Sequence, residues 1–105
     1  MPADDRFEIA EFDFAHFEWD EPKRVSNIVK HNIDFRDLIP LFAQTLCRKK
    51  SDRKGETRFL VVGVLDVEVS IIYTERQKGV CRIISARRAR PEERRAYRAL
   101  LPRGA

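Results

Sequence analysis

The sequence predicts an α+β fold, and three observations carry that prediction. Apolar residues at helical spacing are confined to residues 21–42 and 91–101. Between them, Val- and Ile-rich runs separated by short turns fill residues 58–87. Helices and strands therefore segregate along the chain instead of alternating. With 105 residues and 43% hydrophobic content, the chain has material for one packed core and no second one.

In chain order, Phe12, Phe14, Phe17 and Trp19 alternate with Glu11, Asp13 and Glu18, which predicts a strand near 12–19 with Phe17 and Trp19 facing inward. Asp20 is placed to cap a helix with Glu21 and Pro22 in its first turn, running to about His31. Val25, Ile28 and Val29 are its expected buried face. Asp34 caps a second helix whose Phe35, Leu38, Ile39 and Phe42 share a face, with a kink or late start at Pro40. A short strand at 44–50 and a charged loop from Lys49 to Gly55 follow. Residues 58–65 and 67–76 read as strands joined near Asp66. Gln77, Lys78 and Gly79 turn the chain into a last strand over 80–87, and Pro91 opens a helix to about Leu101.

Charge divides the chain. Residues 1–22 hold eight acids against Arg6 alone, a net of −7, whereas residues 23–105 carry a net of +11. The division sets an acidic N-terminal extension, 1–16, before a single domain over 17–105, and points to an anionic partner. The leader admits two readings: its acids lie over the basic face, or it forms an extended first strand. Cys47 and Cys81 are expected to be reduced core thiols. No apolar run approaches the ~18 residues that cross a bilayer, and the acidic N-terminus does not resemble a signal peptide. The expectation is a cytoplasmic protein with no membrane contact, no cofactor and no metal site.

Residues 82–97 concentrate the arginines. Guanidinium binds phosphate through two parallel hydrogen bonds, which a lysine ammonium does not offer. A three-residue turn at 77–79 would oppose Arg76 to Val80, Thr74 to Arg82 and Ile72 to Ile84. Arg76, Thr74 and Arg82 would then share one face, and Tyr73, Ile83, Ser85 and Arg87 the other. A two-residue turn would regroup them. On the last helix Glu93, Ala96, Tyr97 and Leu100 face the sheet, so Glu93 needs a cation, with Arg87 or Arg82 at hand. Glu93 and Tyr97 are read either as a clamp or as chemical groups. Arg95, Arg98 and Arg103 read as a solvated stripe, with Arg94 beside it.

Those residues resemble the BrnT family of toxins from bacterial type II toxin–antitoxin pairs. The resemblance runs from Phe17, Glu18, Trp19, Asp20, Lys23 and Asn27 through Lys30, His31, Phe35, Gly55, Glu56, Arg58 and Gly63. It closes on 73–76, 82–89, Glu93, Arg94 and Tyr97. Asn32, where a Gly commonly follows Lys-His, Pro40 and the short loop at 51–55 depart from the family pattern. The resemblance implies a RelE-like fold: an antiparallel sheet packed with two N-terminal helices and one C-terminal helix. It also implies a ribonuclease that arrests translation. The implied partner is a cognate antitoxin, BrnA-like, a ribbon-helix-helix DNA-binding protein through which the complex reaches operator DNA.

Metal-independent RNA cleavage needs a base for the 2′-hydroxyl, cations for the phosphorane and an acid for the leaving oxygen. Arg76, Arg82 and Arg87 are the candidates for phosphate and transition-state charge. His31, Glu75 and Tyr97 are those for proton transfer, His31 first because imidazole titrates near neutrality. Lys23, Lys49, Arg58, Arg88 and Arg94 are expected to add RNA contacts. A non-catalytic nucleic-acid-binding module and an antitoxin-binding module using the same basic face are the rival functions.

Overall fold

The computed structural model describes residues 6–102. Six strands form one sheet: β1 (Glu8–Ala10), β2 (His16–Glu18), β3 (Leu46–Lys50), β4 (Phe59–Leu65), β5 (Val67–Gln77) and β6 (Val80–Arg88), in spatial order β1-β3-β4-β5-β6-β2. Tight turns force β3 to β6 into an antiparallel meander, but β2 runs parallel to β6. The sheet is therefore mixed, not antiparallel throughout. β2 has no hairpin to its neighbour, so alternation in the sequence carries no information about its direction.

The described part of the acidic leader belongs to this body. β1 pairs with β3, and Phe7 and Ala10 are buried. Phe12 and Phe14 pack around Phe42 and Tyr73 with centroids 5.2 to 6.1 Å apart. Those two rings enter the core without pairing, which is why β2 is shorter than the strand expected at 12–19. Asp4, Asp5 and Arg103 lie outside the described residues.

Helix α1 (Glu21–His31) has Asp20 at its N-cap position, without a side-chain capping bond. Its burial corrects the sequence reading. Val25 and Val29 are 49% and 81% exposed, and the buried side chain is Asn27 at 5%. Beyond the end of β2, the outer edge of β6 still has an N–H to satisfy. Asn27 Oδ1 accepts from Ala86 N at 3.1 Å, while Nδ2 donates to the Ile33 carbonyl at 2.9 Å. A polar face of α1 therefore closes the sheet edge, and its valines point away. Asn32 ends the helix at φ 57°, the left-handed position usually given to Gly, and its N–H returns to Ile28 O at 2.8 Å.

The next segment, Phe35–Ala43, is a 3-10 helix and not the α-helix expected. Pro40 removes a ladder donor, and Phe35, Leu38 and Leu41 follow the three-residue repeat into the core beside Phe42. Asp34 caps it, accepting from Arg36 N at 3.0 Å. Ile39 is only half-buried. The segment covers the sheet face carrying Leu46, Val61, Val69, Ile71, Tyr73 and Ile83. Helix α2 (Pro91–Leu100) covers the opposite face, against Phe7, Cys47, Leu60 and Val62. Cys47 and Cys81 are unpaired and belong to different faces, and burial pushes each thiol up to about 12. No helix among the described residues is long and apolar enough to cross a membrane.

Turn geometry decides the faces of the last hairpin. Gln77 pairs with Val80, so the turn is Lys78-Gly79, with Gly79 at φ 83°. The expected opposition of Arg76 to Val80 is absent, yet Thr74 does oppose Arg82. A surplus residue at Glu75–Arg76 on β5 reconciles the two. A second irregularity, on β6, leaves Ile84 unpaired between Tyr73↔Ile83 and Ile72↔Ser85. Ser85 and Arg87 are thereby moved to the face of Thr74 and Arg82, not that of Tyr73.

Glu93 fastens α2 to that face. It is 2% exposed and accepts from Ser70 Oγ (2.8 Å), Arg87 Nη1 and Nη2 (2.8 and 3.0 Å) and Arg90 N (2.8 Å). Burial alone would raise its pKa, but the Arg87, Arg90 and Ser70 bonds prevail and hold it at about 2. Glu93→Gln should cost about 3 kcal/mol at pH 7 by leaving Arg87 without its counter-charge. A depressed carboxyl contributes stability above its unfolded value and loses it as pH falls through the folded one. The gap in melting temperature between the two proteins should therefore close from about pH 4.5 down to about 2; a gap as wide at pH 3 as at pH 7 would contradict the clamp. Asn27→Ala strands the Ala86 N–H and the Ile33 carbonyl and should cost about 2 kcal/mol in denaturant unfolding.

Candidate functional site

One face of α1 presents Lys23, Ser26, Asn27, Lys30 and His31 at i, i+3, i+4, i+7 and i+8. Across the sheet stands the β3–β4 connection, a tight reversal in which Arg53 and Glu56 bridge each other and Lys54 and Gly55 take φ 52° and 79°. Between these walls the floor is Ile72, Ile84 and Ser85. The main hollow, about 510 Å³, is lined by Lys23, Ser51, Arg53, Lys54, Arg58 and this floor. A hollow of about 160 Å³ continues toward Ser26, Asn27, Lys30 and His31. Another of about 40 Å³ reaches Asp20, Arg58, Arg76 and Arg82. Lys23 and Ile84 line all three, so they form one groove.

Two carboxylates set the groove arginines. Glu56 takes Arg58 Nε on one oxygen at 2.8 Å and Arg76 Nε on the other at 2.7 Å. Arg76 first, then Arg58, holds the Glu56 carboxyl below the usual carboxylate range. Glu18 accepts from Arg82 Nη1 at 2.8 Å. Among the described residues, the bonds of Arg58 and Arg76 to Glu56 use Nε alone. Each guanidinium is oriented while its two terminal nitrogens remain available to an anion.

The groove gathers Lys23, His31, Arg58, Arg76 and Arg82 from the sequence-derived candidates. The others stand elsewhere. Arg87 is held by Glu93, the clamp already described. Glu75 accepts from Gly79 N at 2.8 Å within the hairpin turn, and lines a hollow on the aromatic side with Phe12, Phe14 and Arg48. Tyr97 lines a hollow between α2 and the β4–β5 turn with Val64, Glu68 and Arg98. Lys49 lies over the Phe7 ring at 5.1 Å, Arg94 Nη1 donates to Ala89 O at 2.7 Å, and Arg88 is exposed. Glu8 bonds Arg48 and Glu11 accepts from Thr45, so these leader acids are occupied outside the groove.

The sequence reading did not assign Lys30, Arg53, Lys54, Ser85 or Ile84 to a site. For α1 the signal was present. The series Lys23, Ser26, Asn27, Lys30, His31 is as regular as the apolar one, but apolar spacing was taken to mark the inward face. Among the described residues no group of three or more His, Cys, Asp or Glu could hold a metal ion. What the groove offers chemically is a set of cations, three of them arginines held by carboxylates, with an imidazole on one branch.

A family model described as ribonuclease toxin, BrnT, of type II toxin-antitoxin system matches residues 19–93. All the groove-lining residues named above fall inside that range. The crystal structure of the Brucella abortus ribonuclease toxin BrnT superposes with a TM-score of 0.57 at 31% identity, covering 71% of this chain and 96% of that one. Comparison with curated proteins gives no match.

The Glu56 bridge can be tested by itself. Because the Glu56 carboxyl is depressed, its contacts persist as pH falls through the ordinary glutamate range and are lost only at lower pH. Slowed exchange of the Arg58 and Arg76 Nε–H protons, followed by NMR, should therefore survive below about pH 4.3. In Glu56→Gln it should be weakened at every pH. Loss at the ordinary glutamate midpoint would show that the two guanidiniums do not share this carboxylate.

Proposed function

The chain belongs to the BrnT family of ribonuclease toxins of type II toxin–antitoxin systems, and from that premise we propose that it cuts RNA lying in the groove between α1 and the 51–58 loop. One observation carries the placement: Lys23 on α1, Arg58 on the β3–β4 connection, Arg76 on β5 and Arg82 on β6 line a single connected hollow.

The proposed reaction is metal-independent. The 2′-oxygen attacks the adjacent phosphorus and the 5′-oxygen leaves, giving a cyclic phosphate. Arg58, Arg76 and Arg82 bind the phosphate and stabilise the charge that grows on its oxygens, acting without reorganisation because Glu56 and Glu18 already fix them. His31, at the α1 end of the groove, is the proton-transfer residue. Glu75 and Tyr97 line other hollows, so this reading gives them no step, and Arg87 serves stability. We read the architecture as RelE-like, the compartment as the cytoplasm, and the partner as a cognate BrnA-like antitoxin of the ribbon-helix-helix type. That antitoxin would carry the complex to operator DNA. One observation favours a non-catalytic RNA-binding module instead: the groove contains His31 but no second imidazole among the described residues.

Purified protein incubated with a defined RNA should give cleavage products with or without chelator, which separates the two readings. Arg58→Ala, Arg76→Ala and Arg82→Ala should each lower kcat/KM by about a hundredfold with little change in melting temperature. His31→Ala should lower kcat with KM nearly unchanged. Full activity and full growth arrest in all four variants would place the reaction outside this groove.

A further inference from the structure

We propose that Ile84 is a seat for a nucleobase, the contact that splays one nucleotide out of the RNA stack inside the groove. The inference rests on the RNA-cleaving reading and deepens it by naming a substrate-positioning residue. Three observations converge on this side chain. Ile84 is the surplus residue of β6: Ile83 pairs with Tyr73 and Ser85 with Ile72, leaving Ile84 without a cross-strand partner. Its neighbours Ile83 and Ala86 are fully enclosed, whereas Ile84 is partly open to solvent. It also lines every branch of the groove, the only residue besides Lys23 among those described to do so.

An aliphatic side chain set among cations asks for a ligand that is apolar at one point and anionic on both sides. A nucleotide within a single strand has that form, with a flat base between two phosphates. Seating the base on Ile84 places the flanking phosphates toward Arg76 and Arg82 in one direction and Lys30 in the other. The chemistry benefits directly. In a stacked helical strand the 2′-oxygen is not in line with the leaving 5′-oxygen, and unstacking one base frees the sugar to rotate into line. A β-bulge that re-aims a side chain beside an active site is a recurring device.

The test compares two probes on the whole chain. One is a short oligoribonucleotide with 2′-O-methyl sugars, which blocks attack; the other is an abasic sugar–phosphate strand of equal length and charge. The wild-type protein should bind the base-bearing strand more tightly. Ile84→Ala should lose about tenfold of that affinity while its affinity for the abasic strand stays the same, and Ile84→Val should keep most of it. Equal binding of both probes by the wild type, or a parallel loss for both in Ile84→Ala at unchanged melting temperature, would overturn the base seat and leave the groove as an RNA site. Failure to bind either probe would overturn the RNA reading as well. If an acidic peptide carrying one leucine displaced the base-bearing strand and was itself weakened only by Ile84→Ala, the seat would belong to a protein partner and the proposal would fall.

Discussion

The pairing of β5 with β6 carries one surplus residue on each strand, and the groove depends on how those surpluses cancel. The two-residue turn at Lys78-Gly79 fixes one register, which returns from Ile72↔Ser85 to Val69↔Arg88. Between the irregularities, Tyr73↔Ile83 and Thr74↔Arg82 pair one residue out of that register. The cause is the core. Cys81, Ile83 and Ala86 must all be enclosed, as must Ile71 and Tyr73, yet Ile83 and Ala86 are three apart and cannot share a face of an uninterrupted strand. Ejecting Ile84 restores the match. The same step brings Ser85 and Arg87 to the face of Arg82, so the shape of the functional surface is a consequence of core packing.

Two further constraints hold the walls of the groove. Asn27 ties α1 to the β6 edge through Ala86, which brings Lys23, Lys30 and His31 over the sheet. Glu93 ties α2 to Arg87 and Ser70 on the groove's face of the sheet. α2 also packs against Leu60 and Val62, so it fills part of that face and leaves Ile72 and Ser85 as the floor of the open part. Both tethers are buried polar groups satisfied on all their described sides, the condition under which such groups specify one arrangement instead of weakening it.

Much of this was legible in the sequence. The α+β class, the meander and the turn glycine follow from spacing, and the need of Glu93 for Arg87 or Arg82 follows from the cost of burying a lone carboxylate; the structure selects Arg87. The direction of β2 was not legible, because an edge strand of three residues has no turn to fix its sense. The outward valines of α1 misled because apolar spacing was read without the competing demand of the β6 edge for a hydrogen-bond acceptor. Of the candidate site, the arginines on β5 and β6 could be named, whereas Arg53 and Lys54 could not. Their place depends on where the 51–58 reversal folds back, a tertiary matter. The parity break from Cys81 and Ile83 to Ala86 was written in the sequence, but it becomes a signal only once those three are known to be enclosed.

The arginines that residues 82–97 and their neighbours bring together can be sorted by which nitrogens their partners use. Arg87 gives both terminal nitrogens to Glu93, and Arg98 gives Nε and Nη2 to Glu68. A guanidinium held by a carboxylate through two parallel bonds is fixed in place with its charge matched, and acts as a fastener. Arg58 and Arg76 contact Glu56 through Nε, and Arg82 contacts Glu18 through Nη1. Single contacts fix direction and leave each of these guanidiniums a second two-nitrogen edge for phosphate. A carboxylate shared by Arg58 and Arg76 also offsets the repulsion of two like charges held close together before any anion arrives. Net charge would rank these arginines alike; bond geometry assigns fastening to one set and recognition to the other.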